Sequence, residues 1–265
     1  MAAGVLDKAM AVLQLLVDAP DGLLLGSIAE GADLPKSGAH RLCADLVRLG
    51  LVRQEGDGGR YVLSMTLVSM AFQHLARVGV VDAAQPVLDT LASSTGELVR
   101  LGIVDGDRQV WVAKAQGARS GLIYDPQMGD VAKLSCMASG HAWLAFVEPD
   151  EAVRLVATQG LADPDEYGPN APRSFEALLA QLRTTAERGY ALVVDSSAPG
   201  MSAVAAPVLH PVRRTVVGTV SVGGPSVRLP EDRLHGIAPE LLEAARLLSD
   251  LYAGSTYLRS IGASR

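Results

Sequence analysis

One helix is predicted by residues 34–50, which read LPKSGAHRLCADLVRLG. Proline is favoured in the first turn of a helix and glycine just after its last turn, so Pro35 and Gly50 mark the two ends. On a helical wheel the apolar residues fall on one face and the small or polar residues fall opposite. The apolar face comprises Ala39, Leu42, Leu46 and Leu49, and the opposite face comprises Ser37, His40, Arg41, Ala44 and Arg48, with Lys36 and Asp45 beside it.

The flanking segments complete a small domain around this helix. Apolar residues recur at helical spacing in residues 5–19, and residues 27–32 predict a short helix capped by Gly26 or Ser27. Two extended runs, 51–54 and 60–63, surround a glycine-rich turn and predict a hairpin. Three helices followed by a hairpin predict a winged helix-turn-helix over residues 1–64.

Residues 65–80 predict an amphipathic linker helix, and residues 81–265 predict a second domain of the α+β class. The strands of this domain are predicted at 98–104, 110–115, 122–124, 191–195, 203–208 and 216–222. Its helices are predicted at 82–94, 138–146, 151–158 and 175–188, the last capped by Ser174, with a closing helix after Pro230 that Pro239 should kink or break.

The charge of the 265-residue chain is −6, which disfavours a protein that grips a polyanion over its whole surface. Residues 1–80 contain seven Lys/Arg and eight Asp/Glu, a net charge of −1, so the acidity lies mostly in residues 81–265. A local patch on the helix at 34–50 is therefore compatible with the composition. Hydrophobic residues are 49% of the chain and aromatic residues only 4%, so Ala, Leu and Val must build the cores.

The polar face of this helix has the pattern of a helix that enters a DNA major groove. Small residues separate the donors, and Arg41 suits either a guanine edge or a phosphate, which the sequence leaves open. An ordinary solvated basic face is the alternative, and the wing and the preceding helices disfavour it. The candidate DNA contacts are Ser27, Lys36, Ser37, Gly38, His40, Arg41, Arg48, Arg53 and Arg60.

No enzyme signature is recognised in the sequence. The motifs of serine hydrolases, dinucleotide-binding folds, P-loops and zinc proteases are missing. Cys43 and Cys136 form no disulfide framework, and Cys136 and His141 are spaced to lie on different faces of a helix. The five histidines have no paired spacing, so neither a metal nor a cofactor is predicted. With no signal peptide and no membrane span in the sequence, a soluble cytoplasmic protein is expected.

Several segments, taken in order, resemble the IclR-type transcriptional regulators. In the first domain they are residues 5–9, 34–42, 49–52 and 59–63, and in the second they are 129–145, 188–191, 199–200, 205–208 and 220–225. The resemblance implies a winged helix-turn-helix, a linker helix and an effector-binding domain with a curved antiparallel sheet. It also implies homodimers or homotetramers, repression in most members, and small organic acids as common effectors.

The sequence departs from the family pattern at several positions. Gly38 stands where a threonine is usual, and His141 stands where a lysine is usual. Ala203 and Gly223 replace more polar residues of members that bind small polar acids. After Tyr190, where members commonly carry several acidic residues, Asp195 is the one carboxylate in the run 193–196. The resemblance therefore implies a less polar and roomier pocket. Its predicted lining is Met128, Leu134, Cys136, Met137, Ala138, Ser139, Gly140, Asp195, Met201, Ala203, Ser221 and Gly223.

The prediction is thus a transcriptional regulator, with repression as the expected mode, that binds a pseudo-palindromic duplex operator. A small, largely apolar metabolite that can carry one carboxylate is the expected effector. The alternative is a small-molecule sensor whose winged helix docks a protein, which Gly38 and the near-neutral first domain leave open.

Overall fold

The computed structural model describes residues 4–254 apart from Asp57 and Pro164, so one residue of the predicted turn at 55–59 lies outside the described residues. The chain divides into two compact units, an N-terminal unit up to Arg77 and a C-terminal unit from Val78 onward.

The N-terminal unit is a three-helix domain with a two-stranded wing. Its elements are α1 (Val5–Val17), α2 (Leu25–Gly31), α3 (Lys36–Arg48), β1 (Val52–Gln54), β2 (Tyr61–Leu63) and α4 (Met65–Val78). The strands pair antiparallel with Val52 opposite Leu63, and an isolated bridge joins Leu23 to Tyr61. Only glycine fits at Gly22, because its φ is +76° and an added Cβ would lie 2.6 Å from the carbonyl oxygen of Tyr61.

The core of this unit explains how α3 is oriented. Ala39, Cys43 and Leu46 are buried, and Cys43 and Leu46 share a cluster with Val12 of α1 and Ile28 of α2. The predicted apolar face is correct for Ala39 and Leu46 but wrong for Leu49, which caps the C-terminus of α3 and is 57% exposed. The opposite face of α3 is consequently left in solvent.

The C-terminal unit is a five-stranded antiparallel sheet with helices on both faces. Its elements are α5 (Val80–Thr95), β3 (Leu98–Asp105), β4 (Arg108–Gln116), α6 (Ala138–Leu144), α7 (Pro149–Gln159), α8 (Phe175–Arg188), β5 (Ala191–Val194), β6 (Met201–Leu209), β7 (Val216–Pro225) and α9 (Glu231–Gly254). The strand order is β4-β3-β7-β6-β5.

Alternation along the strands divides the sheet residues between two cores. Val99 and Leu101 of β3, with Val204 and Val220, join the large cluster with α5 and α9. Ala205 of β6 and the alanines of α6 pack on the other face. The residues of this second face are small, and they leave room above the sheet beside α6.

Three predicted features differ in the structure. Residues 122–124 form no strand, because the carbonyl groups of Leu122 and Tyr124 accept hydrogen bonds from the side chains of Arg228 and Gln116 instead of from a neighbouring strand. Helix α9 continues through Pro239 without a break, since its buried side packs on β6 and α5 and offsets the one missing donor. The N-cap of α2 is Leu24, so neither Gly26 nor Ser27 caps it.

Candidate functional site

The polar face of α3 is the exposed cationic surface of the N-terminal unit. Lys36, Ser37, His40 and Arg41 are all exposed, and α3 holds them along one side. Within the described residues, no carboxylate lies within 4 Å of the Lys36 or Arg41 cation. These two charges are therefore available to an anionic partner.

Two other predicted contacts have intramolecular partners. Arg48 Nη2 lies 3.1 Å from Asp45 Oδ1, and Arg53 Nη2 lies 3.6 Å from Glu55 Oε1. Both pairs are exposed, so each is weak and can open when a phosphate competes. The positive potential of the surface is lower than the count of arginines implies.

The remaining predicted DNA contacts are Arg60, Ser27 and Gly38, and each has a different environment. Arg60 Nη1 donates to the carbonyl oxygen of Gly22 at 2.8 Å, which fastens β2 to the loop before α2. Ser27 is exposed inside α2. Gly38 is half-buried, and an added Cβ would meet only Pro35 Cδ, at 3.8 Å, so packing does not require glycine there.

In the C-terminal unit a cavity lies over the small-residue face of the sheet, beside the start of α6. Its cavity volume is about 20 Å³, which is room for about one water molecule, and the depression around it opens to solvent. Its lining is Arg100, Tyr124, Met137, Ala138, Ser197, Met201, Ser202, Ala203, Ser221 and Gly223. Six of the residues predicted for the pocket are thus brought together: Met137, Ala138, Met201, Ala203, Ser221 and Gly223.

Strand register explains why these residues meet. Arg100 of β3 pairs with Ser221 of β7, and Ser221 pairs with Ala205 of β6, so one row crosses the sheet on the cavity face. In the next row Gly223 pairs with Ala203. Alanine and glycine leave space above the sheet, which the methionines at 137 and 201 border.

Three predicted pocket residues are used in packing instead. Leu134 is fully buried in the cluster under α7 and α8, and Cys136 is fully buried in a separate small cluster. Gly140 allows α6 to approach the chain before it, since an added Cβ would lie 2.4 Å from the carbonyl oxygen of Leu134. Side chains at these positions do not line the cavity.

Three further predicted residues also lie outside the lining. Asp195 has a φ of +49° and its Oδ1 accepts from the Gly200 amide at 2.7 Å, so this carboxylate builds a turn. Ser139 is 2% exposed, and its Oγ has no hydrogen-bond partner among the described residues. Met128 is half-buried in the segment between β4 and α6.

Sequence reasoning missed Arg100, Tyr124, Ser197 and Ser202. The Arg100 guanidinium carbon lies 3.8 Å from the ring centroid of Trp111 and 5.9 Å from that of Tyr124. Burial lowers the pKa of Arg100, and the Tyr124 hydroxyl and the Asp130 carboxylate offset this only in part. A signal was present, because Arg100 is a single cation in the apolar run 98–104.

Comparison with known proteins decides the family. Residues 72–250 match the model described as bacterial transcriptional regulator IclR C-terminal, and residues 5–56 match the IclR helix-turn-helix domain. The chain belongs to the IclR family of transcriptional regulators. The predicted resemblance, fold class and regulatory function are thereby confirmed.

Individual IclR-family members match along nearly the whole chain. The HTH-type transcriptional regulator BhcR of Paracoccus denitrificans is 30% identical over 244 residues, which cover 92% of this chain and 85% of BhcR. A crystal structure of an IclR regulator from Alicyclobacillus acidocaldarius has a TM-score of 0.79 at 24% identity, covering 94% of this chain and 99% of that one. An IclR homologue from Microbacterium hydrocarbonoxydans, crystallised with 4-hydroxybenzoate, has a TM-score of 0.77 at 20% identity, covering 95% of this chain and 100% of that one. These two structures share the fold.

In this IclR-family chain, Cys136 and His141 are both buried in the C-terminal unit. Burial raises the pKa of the Cys136 thiol to about 12, so it carries no nucleophilic thiolate near neutral pH. His141 is buried, its ring Nε2 lies 2.9 Å from the carbonyl oxygen of Ser135, and burial lowers its pKa. Within the described ranges, no group of three or more His, Cys, Asp or Glu could hold a metal ion, and no helix is long and apolar enough to cross a membrane.

Proposed function

We propose that this chain is a homodimeric or homotetrameric repressor that binds a pseudo-palindromic duplex operator and changes its affinity when a small organic effector occupies the cavity. The observation that carries the DNA-binding half is the exposed face of α3. Lys36 and Arg41 have no carboxylate partner there, and the first-turn amides of α3 suit a phosphate. A cytoplasmic location follows from this role.

Exposed apolar side chains of the N-terminal unit support self-association. Leu6 of α1 is 81% exposed, and Met65 and Phe72 of α4 are 71% and 65% exposed. Large apolar side chains in solvent on two helices of a small unit are typical of an interface. A dimer presents two α3 helices to half-sites about one helical turn apart.

The cavity supports the effector half of the proposal. Its walls are Met, Ala and Gly side chains with three serines, Arg100 and Tyr124, which suits a small molecule that has an apolar body and a polar group. The homologue crystallised with 4-hydroxybenzoate is consistent with an organic effector. Binding changes DNA affinity to the extent that the effector favours one arrangement of the protein over the other. Because the described residues form no catalytic arrangement around the cavity, we propose binding without turnover.

The test compares Arg41→Ala with Arg183→Ala, which removes the same charge from an exposed position on α8. The protein's own upstream DNA serves as the duplex, in a fluorescence anisotropy titration. Arg41→Ala should weaken specific binding by roughly 5- to 150-fold and lower the salt slope by about one, whereas Arg183→Ala should change neither. Both variants should keep the melting temperature and the oligomer size. Unchanged affinity of Arg41→Ala would remove α3 from the interface.

A protein-docking role of the winged helix remains the second candidate. The ion pairs of Arg48 with Asp45 and of Arg53 with Glu55 favour it, because they reduce the charge that a phosphate backbone would meet. Salt separates the two functions. Affinity for duplex DNA should fall steeply as salt rises, whereas a protein-docking unit should bind no duplex at any salt concentration.

A further inference from the structure

A larger depression lies between helices α5 and α9, which cover the opposite face of the sheet from the cavity beside α6. Its volume is about 770 Å³, which is within the range of sites that bind small molecules. The two helices run antiparallel, since Arg233 near the start of α9 donates to the carbonyl oxygen of Thr95, the last residue of α5, at 2.7 Å. We call this depression the α5–α9 groove.

The walls of the α5–α9 groove are apolar along most of their length. Thr90 adds no free polar group, because its hydroxyl donates to the carbonyl oxygen of Pro86 within the same helix at 2.8 Å. From residue 86 to residue 94 the helix α5 rises about 12 Å, so the groove has the length for a ligand of about 10 Å. The apolar lining comprises Pro86, Val87 and Leu91 of α5 with Pro239, Ala244 and Leu247 of α9.

A carboxylate without a cation stands at one end of the α5–α9 groove. Glu240 Oε2 accepts a hydrogen bond from Ser94 Oγ at 2.7 Å, which orients the carboxylate at the groove. Within the described residues, no nitrogen of Lys, Arg or His lies within 4 Å of this carboxylate. Because Ser94 belongs to the last turn of α5, the negative end of that helix dipole lies beside Glu240 and favours a cation there.

The neighbouring charges are already engaged, which leaves Glu240 as the uncompensated one. Glu243, the other carboxylate of the lining, accepts from Arg246 at 2.7 and 2.9 Å. The Arg233 guanidinium donates to the carbonyl oxygens of Thr95 and Arg228. A cationic ligand therefore meets one oriented and unpaired carboxylate at the end of an apolar groove.

We propose that the α5–α9 groove is a second small-molecule site, and that it takes a lipophilic ammonium ion whose apolar body lies along the groove while its ammonium binds Glu240. Burial of the body supplies affinity, and the charged hydrogen bond selects the cation. A neutral ligand of the same shape would cover Glu240 without giving it a cation, which is costly. A second copy of this chain is a poorer match for this carboxylate, since residues 81–265 are acidic. The site lies apart from the proposed effector cavity, so each of the two proposals can fail without the other.

The experiment compares hexylammonium and octylammonium with hexanol and octanol, the neutral molecules of the same chain length, on the full chain. Isothermal titration and thermal stabilisation measure binding at concentrations below those that form micelles. Octylammonium should bind the wild type about 5- to 20-fold more tightly than octanol, because a charged hydrogen bond exceeds a neutral one although solvent screens part of the gain.

The variants locate the site. Glu240→Gln should reduce the preference for the ammonium ion to within about twofold, because the remaining hydrogen bond is no longer between two charges. Glu187→Gln removes the same charge from an exposed position on α8 and should leave the preference intact. Thr90→Phe places a larger side chain at an exposed position of the groove, so it should weaken the binding of both the ammonium ion and the alcohol.

The comparison of ammonium with alcohol on the wild type needs no variant, so a folding defect in a variant cannot obscure the result. Equal binding of the two, failure of both ammonium ions to bind, or a preference that survives Glu240→Gln would overturn the site. Sedimentation velocity identifies the competing occupant. If neither ammonium ion binds and Thr90→Phe lowers the oligomer size, the groove is a contact between copies of this chain and the proposal is wrong.

Discussion

The ion pair between Glu97 and Arg228 allows a test of whether burial, rather than hydrogen-bond geometry, decides how much an ion pair contributes to stability. The Glu97 side chain is 2% exposed, and its two oxygens accept from Arg228 Nε and Nη2 at 2.7 Å each. Arg228 also donates from Nη1 to the carbonyl oxygen of Leu122 at 2.8 Å, so it ties the start of α9 to the segment that carries Tyr124. Arg228→Gln removes the charge and leaves the Glu97 carboxylate buried without a cation.

The expected cost is about 3 kcal/mol. Loss of one partner from a buried pair typically costs about 3–5 kcal/mol, and the lower end applies because the Arg228 side chain is 30% exposed. For a unit of this size that corresponds to a fall in melting temperature of roughly 6–12 °C. Both tryptophans, Trp111 and Trp143, lie in the C-terminal unit, so their fluorescence reports the unfolding of this unit alone.

Arg246→Gln on α9 is the matched control. Arg246 contacts Glu243 at 2.9 and 2.7 Å and Asp250 at 2.8 Å, which reproduces the hydrogen-bond geometry of Arg228, but all three side chains are more than half exposed. Solvent screens such pairs, so the melting temperature should stay within error of the wild type. In Glu97→Gln combined with Arg228→Gln, most of the lost stability should return, because no charge is left buried. Equal losses from Arg228→Gln and Arg246→Gln would refute the reasoning.

Four further outcomes are expected in the ligand-free protein. Gly38→Ala should raise the free energy of unfolding of the N-terminal unit by about 1 kcal/mol in urea titrations followed by circular dichroism, since the site is helical and open. Gly140→Ala should lower the free energy of unfolding of the C-terminal unit by roughly 3 kcal/mol or more, because the added methyl group collides with the Leu134 backbone. An unchanged unfolding midpoint would contradict this packing. Cys136, with its pKa raised to about 12, should react with a thiol reagent at neutral pH only after unfolding, so labelling of the native protein at this residue would count against burial. His141 has a pKa lowered below 6.5, so the unfolded chain takes up the proton first, and stability should be full above about pH 6.5 and fall as the pH drops below it; replacement by Asn should flatten that dependence.

The elements could be predicted where local chemistry decides them. Helix α8 has the predicted bounds of Phe175–Arg188, and the Ser174 hydroxyl accepts from the Ala177 amide at 3.1 Å as a cap should. Local chemistry could not show that residues 122–124, which were predicted as a strand, form none. Its residues are apolar, and only the distant Arg228, more than a hundred positions along the chain, supplies the hydrogen bond that replaces strand pairing at Leu122.

The cavity was harder to predict than the fold. Ala203, Ser221 and Gly223 share one face of the sheet once register is known, and the resemblance to the family was enough to identify them. Leu134 and Cys136 come directly before the cavity residues Met137 and Ala138 in the sequence, yet both are buried in cores. Periodicity cannot distinguish a buried wall from a cavity wall, since both are apolar.

The net charge of each unit does not show where an anionic partner binds, and the reason is the same for both units. Residues 1–80 are near neutral and residues 81–265 are acidic, but the exposed ion pairs cancel within each unit and contribute little to recognition. A cation without a carboxylate is what an anionic partner meets. Arg41 on α3 satisfies that condition among the described residues, and it lies in solvent. Because salt screens exposed charges, raising the salt concentration should weaken duplex binding by the wild type more steeply than binding by Arg41→Ala.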